Sequence, residues 1–276
     1  MKKFLFVSLT FLLVLGMIAG CGQKAATTEQ PAATTTAAAT TAEFKIDKLV
    51  VGMDDTFAPM GFRDDKAEIV GFDVDLAKEV GKRLGCEVVF QPIDWDSKEV
   101  ELESGNISCI WNGFTITEER SAAMEMSEPY IANSQMIMVD PAAGIKSKAD
   151  LAGKEIGVQK GSSALDAVNA DADLMKMVSK VSEYPSNVDA YNDLKIGRIA
   201  AVVSDEILAR YYLSTEAYKG MVLLEDKLAA ENYGVGFKKG NTELRDAVQG
   251  AMDEMIADGT AAKISTQWFG KDIMIP

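Results

Sequence analysis

The chain has 276 residues, no histidine, three cysteines, and 42 acidic against 28 basic residues, for a net charge of −14. An acidic balance of that size argues against nucleic acid and against anionic lipid headgroups as partners. Without histidine there is no Ser-His-Asp or Cys-His catalysis, and neither a zinc site nor any other metal or cofactor is expected.

Lys2 and Lys3 precede an apolar run over 4–18 that is broken only by Ser8, Thr10 and Gly16. This is a secretory leader pattern, shorter than the roughly 20 apolar residues of a spanning helix. Ile18-Ala19-Gly20-Cys21 resembles a bacterial lipobox. Residues 1–20 are therefore expected to be a lipoprotein signal peptide and Cys21 the lipidated residue. An uncleaved anchor, or an ordinary signal with a chance cysteine, is the competing reading. From 22 to about 42 the chain is mostly Ala, Thr and Gln, with no Leu, Ile, Val or aromatic residue. Such a stretch cannot bury enough apolar surface to offset chain entropy, so 21–43 is expected to be a disordered linker. The folded part then starts near 44, and its roughly 230 residues suit one large domain or two smaller ones.

Strands are expected at 48–53 and 87–92, with an amphipathic helix at 73–84 between them. A short helix near 97–103, a strand at 107–111 and an extended run at 130–139 follow. A second set opens with a short helical turn at 150–153 and a strand at 155–159, which leads into Gly161-Ser162-Ser163 and a helix. Then come a strand at 178–181, a helix at 187–194, a strand at 200–204 and a helix at 205–213. A strand at 232–237 and helices at 242–257 and 260–268 close the chain. Strands alternating with helices imply mostly parallel sheets covered on both faces. Two such sets imply two lobes, with a ligand site in the cleft between them. Cys86 and Cys109 sit in apolar, strand-like runs and read as buried thiols, a disulfide being the alternative. Met124, Met126, Met136 and Met138 read as gap-filling core.

Gly71-Phe72-Asp73-Val74-Asp75-Leu76-Ala77-Lys78-Glu79-Val80-Gly81-Lys82-Arg83-Leu84 places Val74, Leu76, Val80 and Leu84 at helical spacing, with Asp73 and Asp75 near the positive end of the helix dipole. The segment resembles the signature of the family-3 extracellular solute-binding proteins, and the resemblance extends over the whole folded region. It implies an α/β, two-lobe periplasmic-binding-protein-like fold of type II, each lobe a mostly parallel sheet flanked by helices, joined by two hinge strands. Lobe 1 would be 44–131 plus 233–276, lobe 2 would be 132–232, and the hinges would lie near 130–134 and 229–233. The implied function is an extracytoplasmic receptor that binds a free polar L-amino acid between its lobes and passes it to the permease of an ABC importer. It would be a monomer, held on the outer face of the cell membrane through the lipid on Cys21, and would perform no chemistry. A membrane-linked amino-acid sensor and a dehydratase-like enzyme on the same scaffold are the rivals, since fold does not fix function.

A free amino acid needs a cation or amide nest for its carboxylate, an anion for its ammonium and a wall for its side chain. Asn112-Gly113-Phe114-Thr115-Ile116-Thr117-Glu118-Glu119-Arg120 resembles the family's G-x-T-x-T-x-x-R segment. The resemblance gives Arg120 the α-carboxylate, a role that its planar fork suits; read alone, Arg120 is a surface partner of Glu118 or Glu119. Thr115 would add a hydroxyl and an amide, and the Gly113 carbonyl would face the ammonium. Ser163 opens a helix, where free amides attract anions, but Ser162 or Ser163 is equally a helix cap. Asp205, at a strand end, is either the ammonium partner implied by the resemblance or a plain cap. Phe57 and Trp95 are placed as an aromatic sandwich around the ligand side chain, with Asp54 able to meet an amide, ammonium or guanidinium. Trp111 reads equally as wall or core. Gln159 and Ser204 fall at positions that tune selectivity. Asp54 with two aromatics points to a cationic or neutral polar ligand: arginine or lysine, glutamine, or cystine.

Overall fold

The structure is a computed structural model, and it describes residues 45–275. The leader, Cys21 and the linker lie outside the described residues.

The first half of the fold contains β1 (Lys48–Met53), a small hairpin sheet of β2 (Thr56–Phe57), β3 (Gly61–Arg63) and β4 (Ile69–Val70), then α1 (Phe72–Leu84) and β5 (Glu87–Pro92). It continues through α2 (Lys98–Ser104), β6 (Cys109–Thr115), α3 (Glu118–Ala123), β7 (Glu125–Met126) and the long β8 (Ile131–Val139). The second half has β9 (Glu155–Gln159), α4 (Ser163–Ala170), α5 (Ala172–Met177), β10 (Lys180–Tyr184), α6 (Asn187–Lys195), β11 (Ala201–Asp205) and α7 (Glu206–Leu213). The 16-residue β12 (Val222–Phe237) then returns to the first half, which α8 (Thr242–Ala257) and α9 (Thr260–Phe269) complete.

The two lobes each have a parallel core. In the first, β1 pairs in parallel with β5 and β6; in the second, β9 pairs in parallel with β10 and β11. The strand order β10-β9-β11-β8-β12-β6-β1-β5 shows how they join. β8 and β12 are antiparallel to their neighbours and to each other, so the sheets are mixed rather than mostly parallel. The expected strand at 232–237 is only the end of β12. Its first ten residues, Val-Leu-Leu-Glu-Asp-Lys-Leu-Ala-Ala-Glu, suit a helix by intrinsic preference, and pairing with β8 overrides that weak bias.

The helix expected at 73–84 forms from Phe72, with Phe72, Val74, Leu76, Ala77 and Val80 buried against the sheet. Its start has no side-chain cap; the amides of Phe72 and Asp73 donate instead to the carbonyls of Pro59 and Met60, at 2.8 and 2.9 Å. The two early acids do more than answer the helix dipole. Asp73 is buried beneath β6, and Asp75 accepts from the Trp268 indole at 2.9 Å. Trp111 is 1% exposed and packs edge-on to Tyr130, which makes it core rather than wall. Cys86 and Cys109 are free thiols. Among the described residues no helix is long and apolar enough to cross a membrane.

Candidate functional site

Most of the candidate residues converge. Phe57, Trp95, Gly113, Thr115, Arg120, Gln159, Ser162, Ser163 and Asp205 line one cavity of about 10 Å³ between the lobes. That is space for about one water and too little for an amino acid. Contacts across the cleft hold the lobes together. Lys98 Nζ donates to the Gly161 carbonyl at 2.8 Å, Lys160 pairs with Asp96 at 2.8 Å, and Gln159 Nε2 donates to Asp54 at 2.7 Å. A larger open groove of about 730 Å³ is lined by Thr56 and Ala58, the chain neighbours of Phe57, with Asp55, Arg63, Tyr211, Tyr212 and Tyr218 among others.

The cationic end is built on α3, an element that the sequence pattern did not suggest. The Thr117 hydroxyl caps it by accepting from the Arg120 amide at 3.1 Å, which fixes where Arg120 leaves the backbone. The guanidinium is buried, lies 4.3 Å over the Phe114 ring and donates to the Thr115 carbonyl at 2.8 Å. Burial lowers its pKa, opposed by the charges of Glu99, Asp166, Glu231 and Asp205; a guanidinium stays protonated regardless. Pairing with Glu118 or Glu119 at the surface is not what this side chain does.

Ser162 is the cap of α4, accepting from the Leu165 amide at 3.2 Å. The Ser163 hydroxyl is thereby released to the cleft, where it meets Thr115 Oγ1 at 3.0 Å and accepts from Gln135 Nε2 at 3.2 Å. Thr115 Oγ1 in turn donates to Glu231 Oε1 at 3.0 Å. A carboxylate only accepts, so the chain of hydroxyls runs from Gln135 through Ser163 and Thr115 to Glu231.

The anionic end is Asp205, the last residue of β11. It makes no cap bond to α7 and accepts instead from Asn133 Nδ2 at 2.7 Å and from the Tyr233 hydroxyl at 2.6 Å. Burial, followed by the charge of Glu231, pushes its carboxyl well above the usual range.

Phe57 and Trp95 form apolar walls of the cavity, Trp95 edge-on to Phe114 at 5.9 Å. Asp54 lies behind them, holding the Thr56 hydroxyl at 2.6 Å as well as Gln159. Gln159 is oriented by Asn187, which donates to its Oε1 at 2.9 Å. Asn112 is one step removed: its Oδ1 accepts from the Asp54 amide at 3.1 Å, and it does not line the cavity. Ser204 bonds Tyr191 at 2.6 Å within the second lobe.

Glu231, Asn133, Gln135, Tyr233, Asn187 and Lys98 belong to this network and were not among the sequence candidates. Asn133 and Glu231 fall inside the expected hinge segments, which is the signal that could have found them: a strand that crosses between lobes also passes the cleft.

Beneath the site, Asp73 accepts from the Gly113 amide at 2.7 Å and from the Tyr130 hydroxyl at 2.9 Å. Burial pushes Asp73 up to about 7 despite these two bonds, and burial also raises Asp54. A carboxyl with a folded pKa above its unfolded value of about 3.9 gives its full stability below that value and loses it as pH rises through the folded pKa. The unliganded protein should therefore melt lower as pH rises from 5 to 8. Each pKa unit is about 1.4 kcal/mol and each kcal/mol moves Tm by about 2–4 °C, so the drop should be several degrees. Thermal melts across that range check this, and a flat or rising profile would refute it.

Residues 49–271 match the profile of bacterial extracellular solute-binding proteins, family 3. The L-cystine-binding protein TcyJ of Escherichia coli (strain K12) is 33% identical over 229 residues, covering 82% of this chain and 84% of that protein. Among solved structures, a substrate-binding protein of an ABC uptake transporter from Streptococcus pneumoniae with bound histidine superposes with a TM-score of 0.81 at 35% identity, covering 83% of this chain and 95% of that one. An ancestral arginine-binding protein bound to arginine gives a TM-score of 0.77 at 39% identity, covering 82% and 100%.

Proposed function

Because the chain belongs to the bacterial extracellular solute-binding proteins of family 3, we propose that it is an extracytoplasmic receptor that binds a free polar L-amino acid between its lobes and delivers it to an ABC importer. The observation that carries this reading is the opposition, in one closed cavity, of a buried guanidinium at Arg120 and a buried carboxyl at Asp205, with the Thr115 and Ser163 hydroxyls also lining it. Arg120, Thr115 and Ser163 take the α-carboxylate; Asp205 and the Gly113 carbonyl take the α-ammonium. Phe57 and Trp95 clasp the side chain, and Gln159, held from behind by Asp54, meets its polar end. No chemical change is made.

The ligand class is cationic or neutral polar, in keeping with relatives and neighbours named for cystine, histidine and arginine. Ligand touches both lobes only in the closed form and so shifts the population toward it. The hinges are placed in β8 and β12 near 130–134 and 229–233, which makes lobe 1 residues 44–131 with 233–276 and lobe 2 residues 132–232. Cys21 carries the lipid that tethers the mature chain to the outer face of the membrane, and the permease is its protein partner.

A thermal-shift screen against the twenty amino acids, ornithine, citrulline and cystine tests this, since a ligand that binds only the native state raises Tm by mass action. One or a few polar L-amino acids should raise Tm by several degrees. Unfolding, dialysis and refolding beforehand removes any co-purified ligand; no shift after that step would sink the reading.

A further inference from the structure

Glu231 does not line the cavity but bonds to Thr115, which does, and the ligand scheme above gives it no role. It stands on β12 directly opposite Asn133 of β8, so both side chains are set by the strands that cross between the lobes. The Asn133 amide nitrogen donates to Asp205 at 2.7 Å and to Glu231 at 2.6 Å. Its orientation is not free, because Asn133 Oδ1 accepts from the Ile207 amide at 3.3 Å. One amide group therefore holds two carboxyl groups side by side. Glu231 Oε1 takes further bonds from Thr115 Oγ1 at 3.0 Å and Gln135 Nε2 at 2.9 Å, which fixes its carboxyl among the hydroxyls of the cavity.

The charges facing this pair come from every side. Tyr233 on β12 donates to Asp205, and Tyr191 on α6 and Tyr130 beyond Tyr233 stay protonated through burial. Arg120 on α3 is the cation whose charge acts on both acids, and it also faces Glu99 and Asp166. Lys98 pairs with Glu99 at 3.0 Å, which leaves Arg120 to answer Asp166 and the pair, and one guanidinium does not compensate two adjacent carboxylates, one buried and one half-buried. Like charges held this close oppose each other's ionisation, and burial, followed by the charge of Glu231, raises Asp205 well above the usual carboxylate range.

We propose that Glu231 is the second anion of the amine subsite: Asp205 and Glu231 hold one proton between them in the empty cleft, and the ligand's α-ammonium takes its place. This rests on the amino-acid reading above. The exchange balances in charge: an ammonium enters, a carboxylic acid and a carboxylate become two carboxylates, and one proton leaves to solvent. Binding then strengthens as pH rises, by up to tenfold per unit where the proton is fully released.

The test uses the isosteric Glu231→Gln, whose side-chain oxygen can still accept from Thr115, Asn133 or Gln135. Calorimetry in buffers of different ionisation enthalpy counts protons released on binding L-arginine, L-glutamine or L-cystine, whose side-chain groups do not titrate between pH 5 and 7. Wild type should release close to one proton near pH 6, and its log Kd should fall with rising pH. Glu231→Gln should bind at least tenfold more weakly, release less than half as many protons and show a flatter slope. A second arm needs no ligand. The fall in Tm between pH 5 and 8 should be shallower in Glu231→Gln, because Asp205 no longer has a second carboxyl beside it while Asp54 and Asp73 are unchanged. Equal proton counts and equal pH slopes in the two proteins overturn the proposal, as does a wild type that releases no proton. If no amino acid of the full thermal-shift screen binds wild type, the amino-acid reading fails, and equal melting slopes alone would then overturn the shared proton.

Discussion

Replacing Arg120 with methionine should weaken amino-acid binding by about two to three orders of magnitude. Removing one partner of a buried, hydrogen-bonded charge pair costs about 2–5 kcal/mol, much of it the penalty of leaving the other charge unpaired. The ligand carboxylate would be left with the Thr115 and Ser163 hydroxyls, in a cavity whose other charged lining residue is Asp205. Methionine retains most of the length of the side chain and its contact with Phe114, so the loss isolates the charge. Arg120→Lys should recover only a small part of it, because a point charge cannot reproduce the planar fork that reaches both the Thr115 carbonyl and a carboxylate. Titration calorimetry with the amino acid found by thermal shift measures this. A methionine variant that binds within threefold of wild type would show that the carboxylate is held elsewhere.

Gly113→Ala should cost about 3 kcal/mol of stability and most of the binding. Gly113 has φ near +56°, where a side chain costs about 1–2 kcal/mol. A Cβ there would also stand 2.7 Å from Phe57 Cε1 and 3.1 Å from the Tyr233 ring, and overpacking a filled site costs about 1–3 kcal/mol. Neither neighbour can yield freely. Phe57 is a wall of the cavity, and the Tyr233 hydroxyl is bound to Asp205. Gly113 also ties the end of β6 to Asp73 through its amide, so a shift at 113 disturbs that bond as well. Melting temperature and affinity measured on one preparation test this, and an alanine variant that melts within about 2 °C of wild type contradicts it.

The candidate site was legible where chemistry follows local pattern. Arg120, Thr115, Gly113, Ser163 and Asp205 follow strand ends or open helices, and the structure brings all five to one cavity. The Ser162 or Ser163 ambiguity could not be resolved from sequence, because both are good caps and only the geometry of the turn decides which hydroxyl faces inward. Asn112 looked equivalent to its neighbours, yet alternation along β6 turns it toward the Asp54 amide behind the wall. Short elements escaped for a related reason. The hairpin strands β2 to β4, and α3 and α5, have two to six residues each, too few for a period to show.

By itself the sequence determined the alternation of strands and helices, the two sets that become lobes, the apolar faces that become cores, and the family. The elements, lobes and apolar faces are written in spacing, which any window of a dozen residues displays, whereas the family resemblance rests on the residue identities of the 71–84 and 112–120 segments. Tertiary structure alone decided three things. It made 222–231 a strand against that segment's own helical bias, because β8 offered a paired edge. It put Asp73, an acid suited to a helix start, beneath β6 at Gly113. It also placed Glu231 beside Asp205, 26 positions away in the chain, through one asparagine on a neighbouring strand. Contacts between residues far apart in sequence depend on the register of strands that pair late and at a distance, and no local pattern encodes that register.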